Sequence, residues 1–282
     1  LIRIHILGSA AGGGLPQWNC ACANCAAARA GKIEPQTQSS IAIGADSEQS
    51  QSWWLINASP DLAAQIERTP ALQPRTAPSR NSRIAGVLVT NADIDHALGL
   101  LLLREQAEPL VVYAANDTRA ALEWLDGVLA RFCGIEWRKI SANFQPLNGT
   151  VGFRAIELMH SVAFQFRDDA SGATALFAPS VSELTEQLRN AVQTSDVVFF
   201  DGTFWSDGEL VKVRSGARSA CEMNHLPISD GSLDFLRQSR ARRKIYTHIN
   251  NTNPILMPGN RERAQVEEAG IEIASDGLEI IL

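Results

Sequence analysis

The sequence predicts a layered α/β domain with a functional site along one rim. Three observations predict it. Strand-like and helix-like apolar runs interleave through both halves of the 282 residues. Several strand runs are continuously apolar, such as IAGVLVT and VVFFD, which suits strands covered on both faces. Polar clusters rich in Asp, Asn and His follow directly after such runs.

Residues 2–7 alternate and break at Gly8, a first strand; three glycines and a proline make residues 10–17 a loop. SIAIGA (40–45) and WWLINA (53–58) read as strands, and Pro60 can start a helix over DLAAQIERT. The Pro-, Arg- and Ser-rich residues 72–82 form a loop before the buried strand IAGVLVT. HALGLLLLREQ is expected as a helix and LVVYAA as a strand; Asp117 can cap a helix over TRAALEWLDGVLARF. FRAIELMH, VAFQFRD and ATALFAP are expected strands, SELTEQLRNAVQ a helix and VVFFDGT a buried strand. Helices are expected over residues 230–238 and 260–269, with the strand KIYTHIN between them. IEIASDGLEIIL is expected to close as a hairpin turning at Asp276-Gly277. Nothing forces a division, so 1–282 is expected to be a single domain.

Hydrophobic residues make up 45% and charged residues 20%, the balance of a globular chain with a sizeable core. A net charge of −6 argues against a nucleic-acid partner. No apolar run approaches the roughly 18 residues that cross a bilayer, and LIRIHILGS reads as a strand rather than a signal peptide. A cytoplasmic protein with no membrane partner is expected, and a homodimer is left open. Three of the five cysteines lie within six residues, which fits a metal clip in a reducing compartment. The AAGGG loop does not meet a dinucleotide fingerprint in register.

Three clusters carry chemistry: Asn91/Asp93/Asp95/His96, Asp201-Gly202-Thr203, and His248-Ile249-Asn250-Asn251. Zinc, iron and manganese accept carboxylates and imidazoles. One Asp after a strand is usually a cap, and a lone His a satisfied polar group. Three such clusters at the same end of three strands point to metal instead. His160, at a strand end among apolar residues, is a further candidate; His225, in a loop, suits a substrate or acid/base role. Cys20-x-Cys22-x-x-Cys25 is a strong zinc pattern, because one tight loop can satisfy tetrahedral thiolate geometry. Its fourth ligand is open among His225, Asn251 and Cys221. Cys133 and His5 read as structural, and Trp53 and Trp54 as packing.

LGSAAGGGLPQWNCACANC, QTQSSIA, NASPDL, TNADIDHALGLLLLRE, DGTFW and THINNTNPIL together resemble the pyrroloquinoline quinone (PQQ) biosynthesis protein B family of the metallo-β-lactamase-fold superfamily. The matches run in order along the chain. The resemblance implies a four-layered αβ/βα sandwich with a metal site at its rim, and a structural zinc on Cys20, Cys22 and Cys25 in an N-terminal loop at about residues 10–30. In the related phosphodiesterase branch a fourth zinc ligand falls at the position of Asn251, which departs from histidine. The superfamily signature T-H-x-H-x-D-H reads Thr90-Asn91-Ala92-Asp93-Ile94-Asp95-His96 here, so both leading histidines are replaced. The chain is short for the family around residues 118–170, and the usual Met-Gly-His reads Met223-Asn224-His225.

Asn91 is a poor ligand, so one of the two metal positions of a superfamily hydrolase is expected to be weak. Asp95, His96 and His248, with Asp93 or Asp201 completing or orienting the shell, can supply two imidazoles and a carboxylate to one metal. That set suits Fe(II), with zinc or manganese as alternatives. The resemblance implies iron-dependent hydroxylation of the tyrosine ring in a small peptide-derived substrate, a Glu–Tyr cross-linked product, with His225 handling a phenolic proton. The alternatives are a phosphodiester or lactone hydrolase and a non-catalytic carrier of the finished quinone.

Overall fold

The computed structural model describes residues 1–45 and 52–282. Its strands are β1 (Ile2–Gly8), β2 (Ser40–Ala45), β3 (Trp53–Ile56), β4 (Ile84–Leu88), β5 (Leu110–Ala114), β6 (Ile135–Lys139), β7 (Gln145–Asn148), β8 (Val151–Glu157), β9 (Val162–Asp168), β10 (Thr174–Ala178), β11 (Val197–Asp201), β12 (Arg243–Thr247), β13 (Glu272–Ile273) and β14 (Glu279–Ile281). They form two seven-stranded sheets, ordered β14-β1-β2-β3-β4-β5-β6 and β13-β12-β11-β10-β9-β8-β7. Each sheet is mixed: β3 to β6 run parallel, as do β10 to β13, and the remaining pairs are antiparallel.

Alternation along the strands builds the layers. Ile2, Ile4 and Ile6 meet Phe153, Phe164, Phe177 and Phe199 between the sheets. On the outer face of the first sheet, Leu55, Val87 and Val112 pack on Leu62, Leu100 and Leu125. On the outer face of the second, Val198 and Phe200 pack on Leu188, Leu236 and Val266. The continuous apolar run of β11 is thus divided, Val197 and Phe199 facing the centre and Val198 and Phe200 the helices. This is the four-layered sandwich expected. No helix among the described residues is long and apolar enough to cross a membrane.

The structure corrects four local expectations. Residues 96–106 are not one helix: an α-turn at Ile94–Ala97 passes into a 3-10 helix at Leu98–Leu103. The His96 carbonyl accepts from Ala58 N at 2.7 Å, and Gly99 N donates to Ala58 O at 2.8 Å, so the helical ladder is diverted onto the loop after β3. Residues 117–132 split into helices at Asn116–Ala121 and Trp124–Leu129, and the first has no side-chain cap, Asp117 lying inside it. Strands β6 and β7 were not expected; both are sheet edges whose residues are largely half-buried or exposed, so their apolar pattern is weak. The terminal hairpin does not exist. β13 joins β12 in one sheet and β14 joins β1 in the other. Asp276 between them accepts from Ser9 N and Oγ at 3.0 and 2.8 Å and from Thr37 N and Oγ1 at 2.8 and 2.7 Å, which favours the crossing over a two-residue turn.

Buried Glu209 ties together two loops beside the rim. It accepts from Trp205 N at 2.7 Å and from Thr252 Oγ1 at 2.5 Å. Burial pushes its carboxyl up to about 7, these hydrogen bonds only partly opposing the rise. The unfolded carboxyl titrates near ~4.3. Between these values the folded state holds the extra proton, so the stability contributed by this group is lost as pH rises toward 7. Glu209→Gln is expected to flatten that slope in urea-unfolding midpoints measured from pH 4.5 to 8; an unchanged slope would exclude Glu209 as its source.

A Cβ at Gly99 would lie 2.2 Å from Ser59 O and 2.7 Å from Ala58 C. Gly99→Ala is therefore expected to cost roughly 1–3 kcal/mol, as overpacking does, read as a lowered denaturation midpoint.

Candidate metal centre

The rim site is assembled from the ends of β3, β4, β11 and β12. Asn57, directly after β3, has φ +64°, a conformation asparagine tolerates better than most residues. Its Oδ1 accepts from Thr90 N and Oγ1 at 2.9 and 3.0 Å, which fixes the loop after β4. One step on, the Asn91 amide has its orientation set by chemistry. A carboxylate only accepts, so Nδ2 faces Asp93 Oδ2 at 2.7 Å and Oδ1 faces His96 Nδ1 at 2.6 Å. His96 therefore carries its proton on Nδ1. Its Nε2 lone pair is buried, has no hydrogen-bond partner, and lies 3.5 Å from Asp95 Oδ2.

His248 follows β12 with φ +55°, a strained turn that aims its ring back at the rim. Thr203 Oγ1 donates to Asp201 Oδ1 at 2.6 Å, and with its one proton so used it accepts from His248 Nδ1 at 2.8 Å. The His248 Nε2 lone pair then faces Asp95 Oδ2 at 3.1 Å. Asp95, His96 and His248 bring their ligand atoms within 4.8 Å of one another. Burial pushes the His96 imidazole down to about 4, so at neutral pH it is an acceptor. Burial would raise the Asp95 carboxyl, but His96 and His248 hold it well below the usual carboxylate range. The His96 Nε2 lone pair stays buried and unpartnered beside Asp95 and His248, an arrangement that a bound cation would relieve. The donors fit a divalent metal with two nitrogens and one oxygen.

Asp201 is fully buried and saturated. Oδ1 takes Thr203 N and Oγ1; Oδ2 takes Val181 N at 2.8 Å and His225 Nδ1 at 2.6 Å. Burial lowers the His225 imidazole, but Asp201 outweighs it and the net shift is upward. The His225 ring stacks on His248 with centroids 5.4 Å apart. Asp201, His225 and His248 thus form a second group of close ligand atoms sharing His248 with the first.

Cys20, Cys22 and Cys25 bring their sulfurs within 4.8 Å of one another, and the Asn251 amide sits over them, 3.2 Å from Cys20 Sγ, 3.5 Å from Cys22 Sγ and 3.2 Å from Cys25 Sγ. Asn24 anchors that segment through the carbonyls of Asn251 and Asn253. Burial raises the Cys22 thiol to about 11, while hydrogen bonds from Cys22, Cys25 and Asn251 outweigh burial and hold Cys20 low. Of the three open candidates for the fourth ligand, the structure places only Asn251 here; a half-turn of its amide would present Oδ1. His225 stands at the rim instead, and Cys221 is exposed, its backbone N–H bound to Asp207.

A cavity of about 930 Å³ opens over the rim, lined by Asp93, Asp95, His225 and His248 among others. A smaller one of about 330 Å³, lined by Asn91, Asp93, Asp117 and the exposed His160, adjoins it. His160 belongs to no group of close metal-type ligands among the described residues. Glu209, Arg214 and Arg218 went unmarked in the sequence, and Asn57 and Thr90 were marked only as parts of motifs, without their orienting roles. Only the NAS triplet after a strand offered a signal, since Asn there suits a positive φ.

A β-lactamase superfamily domain model matches residues 52–249. The coenzyme PQQ synthesis protein B of Cupriavidus taiwanensis is 40% identical over 312 aligned positions, covering all of both chains. That alignment exceeds the 282 residues here, so the relative carries residues this chain lacks. The protein of the same description from Rhizobium meliloti is 41% identical, covering all of this chain and 98% of its own. Among solved structures, zinc-bound PqqB from Methylobacterium extorquens superposes with TM-score 0.88 at 35% identity, covering 99% of this chain and all of that one. A diphosphatase of the PhnP family, TM-score 0.74 at 18% identity, covering all of this chain and 98% of that one, shares the fold. With a superfamily model over most of its length and full-length relatives at this identity, the chain belongs to the coenzyme PQQ synthesis protein B family of the β-lactamase superfamily.

Proposed function

We propose that the rim binds one Fe(II) through His96 Nε2, His248 Nε2 and Asp95, and that the protein hydroxylates the tyrosine ring of a small peptide-derived substrate in PQQ biosynthesis. The observation that carries this reading is the convergence of two imidazole lone pairs and one carboxylate, while Asn91 spends its amide on orienting His96. Iron in such a site supplies redox chemistry with dioxygen, which zinc cannot. One oxygen atom enters the ring and the other leaves as water, with two electrons and two protons from an external reductant.

The chain's own groups prepare that step. Asn91 fixes the His96 tautomer, and Thr203 that of His248. Asp201 holds Nδ1 of His225, leaving Nε2 to take the phenolic proton from the cavity side. Asp93 orients the Asn91 amide. The three cysteines with Asn251 hold a structural zinc. We read the whole chain as one domain acting in the cytoplasm, where three such close thiols stay reduced.

A second reading is favoured by the adjoining Asp201, His225 and His248 group. If it takes a second ion, a metal-bound hydroxide could serve hydrolysis of a phosphodiester or lactone. The two readings separate by metal content. Iron-loaded protein with tyrosine-containing dipeptides under oxygen is expected to give a catechol product. Its absence, together with two rim zincs and phosphodiester cleavage, would establish the hydrolase.

His96→Ala is expected to lose the rim metal and to lower turnover by more than roughly a hundredfold, with the cysteine-bound zinc retained in elemental analysis. Asn91→Ala, which removes an orienting group and no ligand, is expected to keep the rim metal but weaken it by roughly 10–100-fold in chelator competition. An unchanged affinity would exclude the orienting role.

A further inference from the structure

We propose that Arg214 and Arg218 form a carboxylate-binding wall of the rim cavity and select acidic aromatic peptides. This assignment rests on reading the rim as the site of a small peptide-derived substrate. Both arginines line the same cavity as Asp95, His225 and His248. Both are exposed, and neither guanidinium has a carboxylate partner among the described residues.

The local fold explains why they stay free. Arg214 ends the helix Glu209–Val213, and the chain turns at Gly216, φ +74°, before Arg218. The nearby acids are engaged with backbone: Asp207 Oδ1 accepts from Cys221 N and Glu222 Oε2 from Ser219 N, both at 2.8 Å. These bonds tie down the loop instead of neutralising its cations. The same wall is apolar beside the charges, with Phe204, Leu210, Val213 and Met223 also lining the cavity. An aromatic ring against these side chains would place an attached carboxylate within reach of a guanidinium fork, which matches carboxylate geometry. Asp93 and Asp95 line the same cavity and would repel a carboxylate, so the two guanidiniums are the groups there that attract one.

The test is binding, measured calorimetrically on zinc-loaded protein so that no turnover intervenes. The probes are L-glutamyl-L-tyrosine and the same dipeptide with both carboxyls amidated. The acid is expected to bind roughly tenfold or more tightly than the diamide, with an affinity that falls as salt rises. The double variant R214Q/R218Q is expected to lose that preference while binding the diamide as before. Both positions are exposed, and circular dichroism will report whether the variant folds. His96→Ala is expected to keep the preference, which places the carboxylate on arginine rather than on metal.

Equal affinity for acid and diamide, an acid affinity untouched by R214Q/R218Q, a preference lost in His96→Ala, or no binding of either probe at millimolar concentration would each overturn the assignment. Failure of the two readings is distinguishable. Arginine-dependent binding without a hydroxylated product from iron-loaded protein sinks the hydroxylase alone. A hydroxylated product with binding unaffected by R214Q/R218Q sinks the arginine wall alone.

Discussion

The hydrogen bond from His96 Nδ1 to Asn91 Oδ1, at 2.6 Å, decides the character of the rim. It commits His96 to one tautomer and leaves Nε2 as a buried lone pair. The bond itself depends on Asp93, which turns the amide, and on Asn57, which holds the neighbouring Thr90. At the position where the superfamily signature has a histidine, the Asn91 side chain orients His96.

The fold serves this arrangement by stacking two sheets whose strand ends meet at one edge. Phenylalanines and isoleucines fill the space between the sheets, and the helices cover the outer faces. Asp95 and His96 follow β4, Asp201 ends β11, His225 stands on the long connection from β11 to β12 and His248 follows β12, so neither sheet supplies the whole set. Packing between the sheets therefore fixes the distance between His96 on one side and His248 on the other, whose rings approach to 5.0 Å. A rigid apolar interior holds a small polar constellation that would not assemble by itself.

Much of this was legible in the sequence because buried strands leave strong patterns. IAGVLVT, VVFFD and KIYTHIN are strands, and the polar residues after them meet at the rim. The cysteine triad was visible from its spacing alone. Long-range hydrogen bonding was not visible. LGLLLL reads as helix, yet the loop at Ala58 captures its ladder through His96 and Gly99. Asp276-Gly277 reads as a hairpin turn, yet Ser9 and Thr37 draw the chain across to the other sheet. His225 is positioned by Asp201, 24 residues away and 2.6 Å distant, a contact no local pattern shows. Local pattern finds the elements; partners remote in sequence decide what they do.

The division of the last two strands between the sheets also bears on how the protein comes into being. β1 pairs on one side with β2 and on the other with β14, the last strand of the chain. During synthesis that flank of β1 has no partner until Glu279–Ile281 has been made. Its open edge is then a place where another nascent chain could add a strand, and closure waits on a contact between segments far apart in sequence, Arg3 with Ile281, the kind that forms slowly. The residues from Ser275 to Leu278 act as the latch in assembly as well as the bridge in the finished molecule.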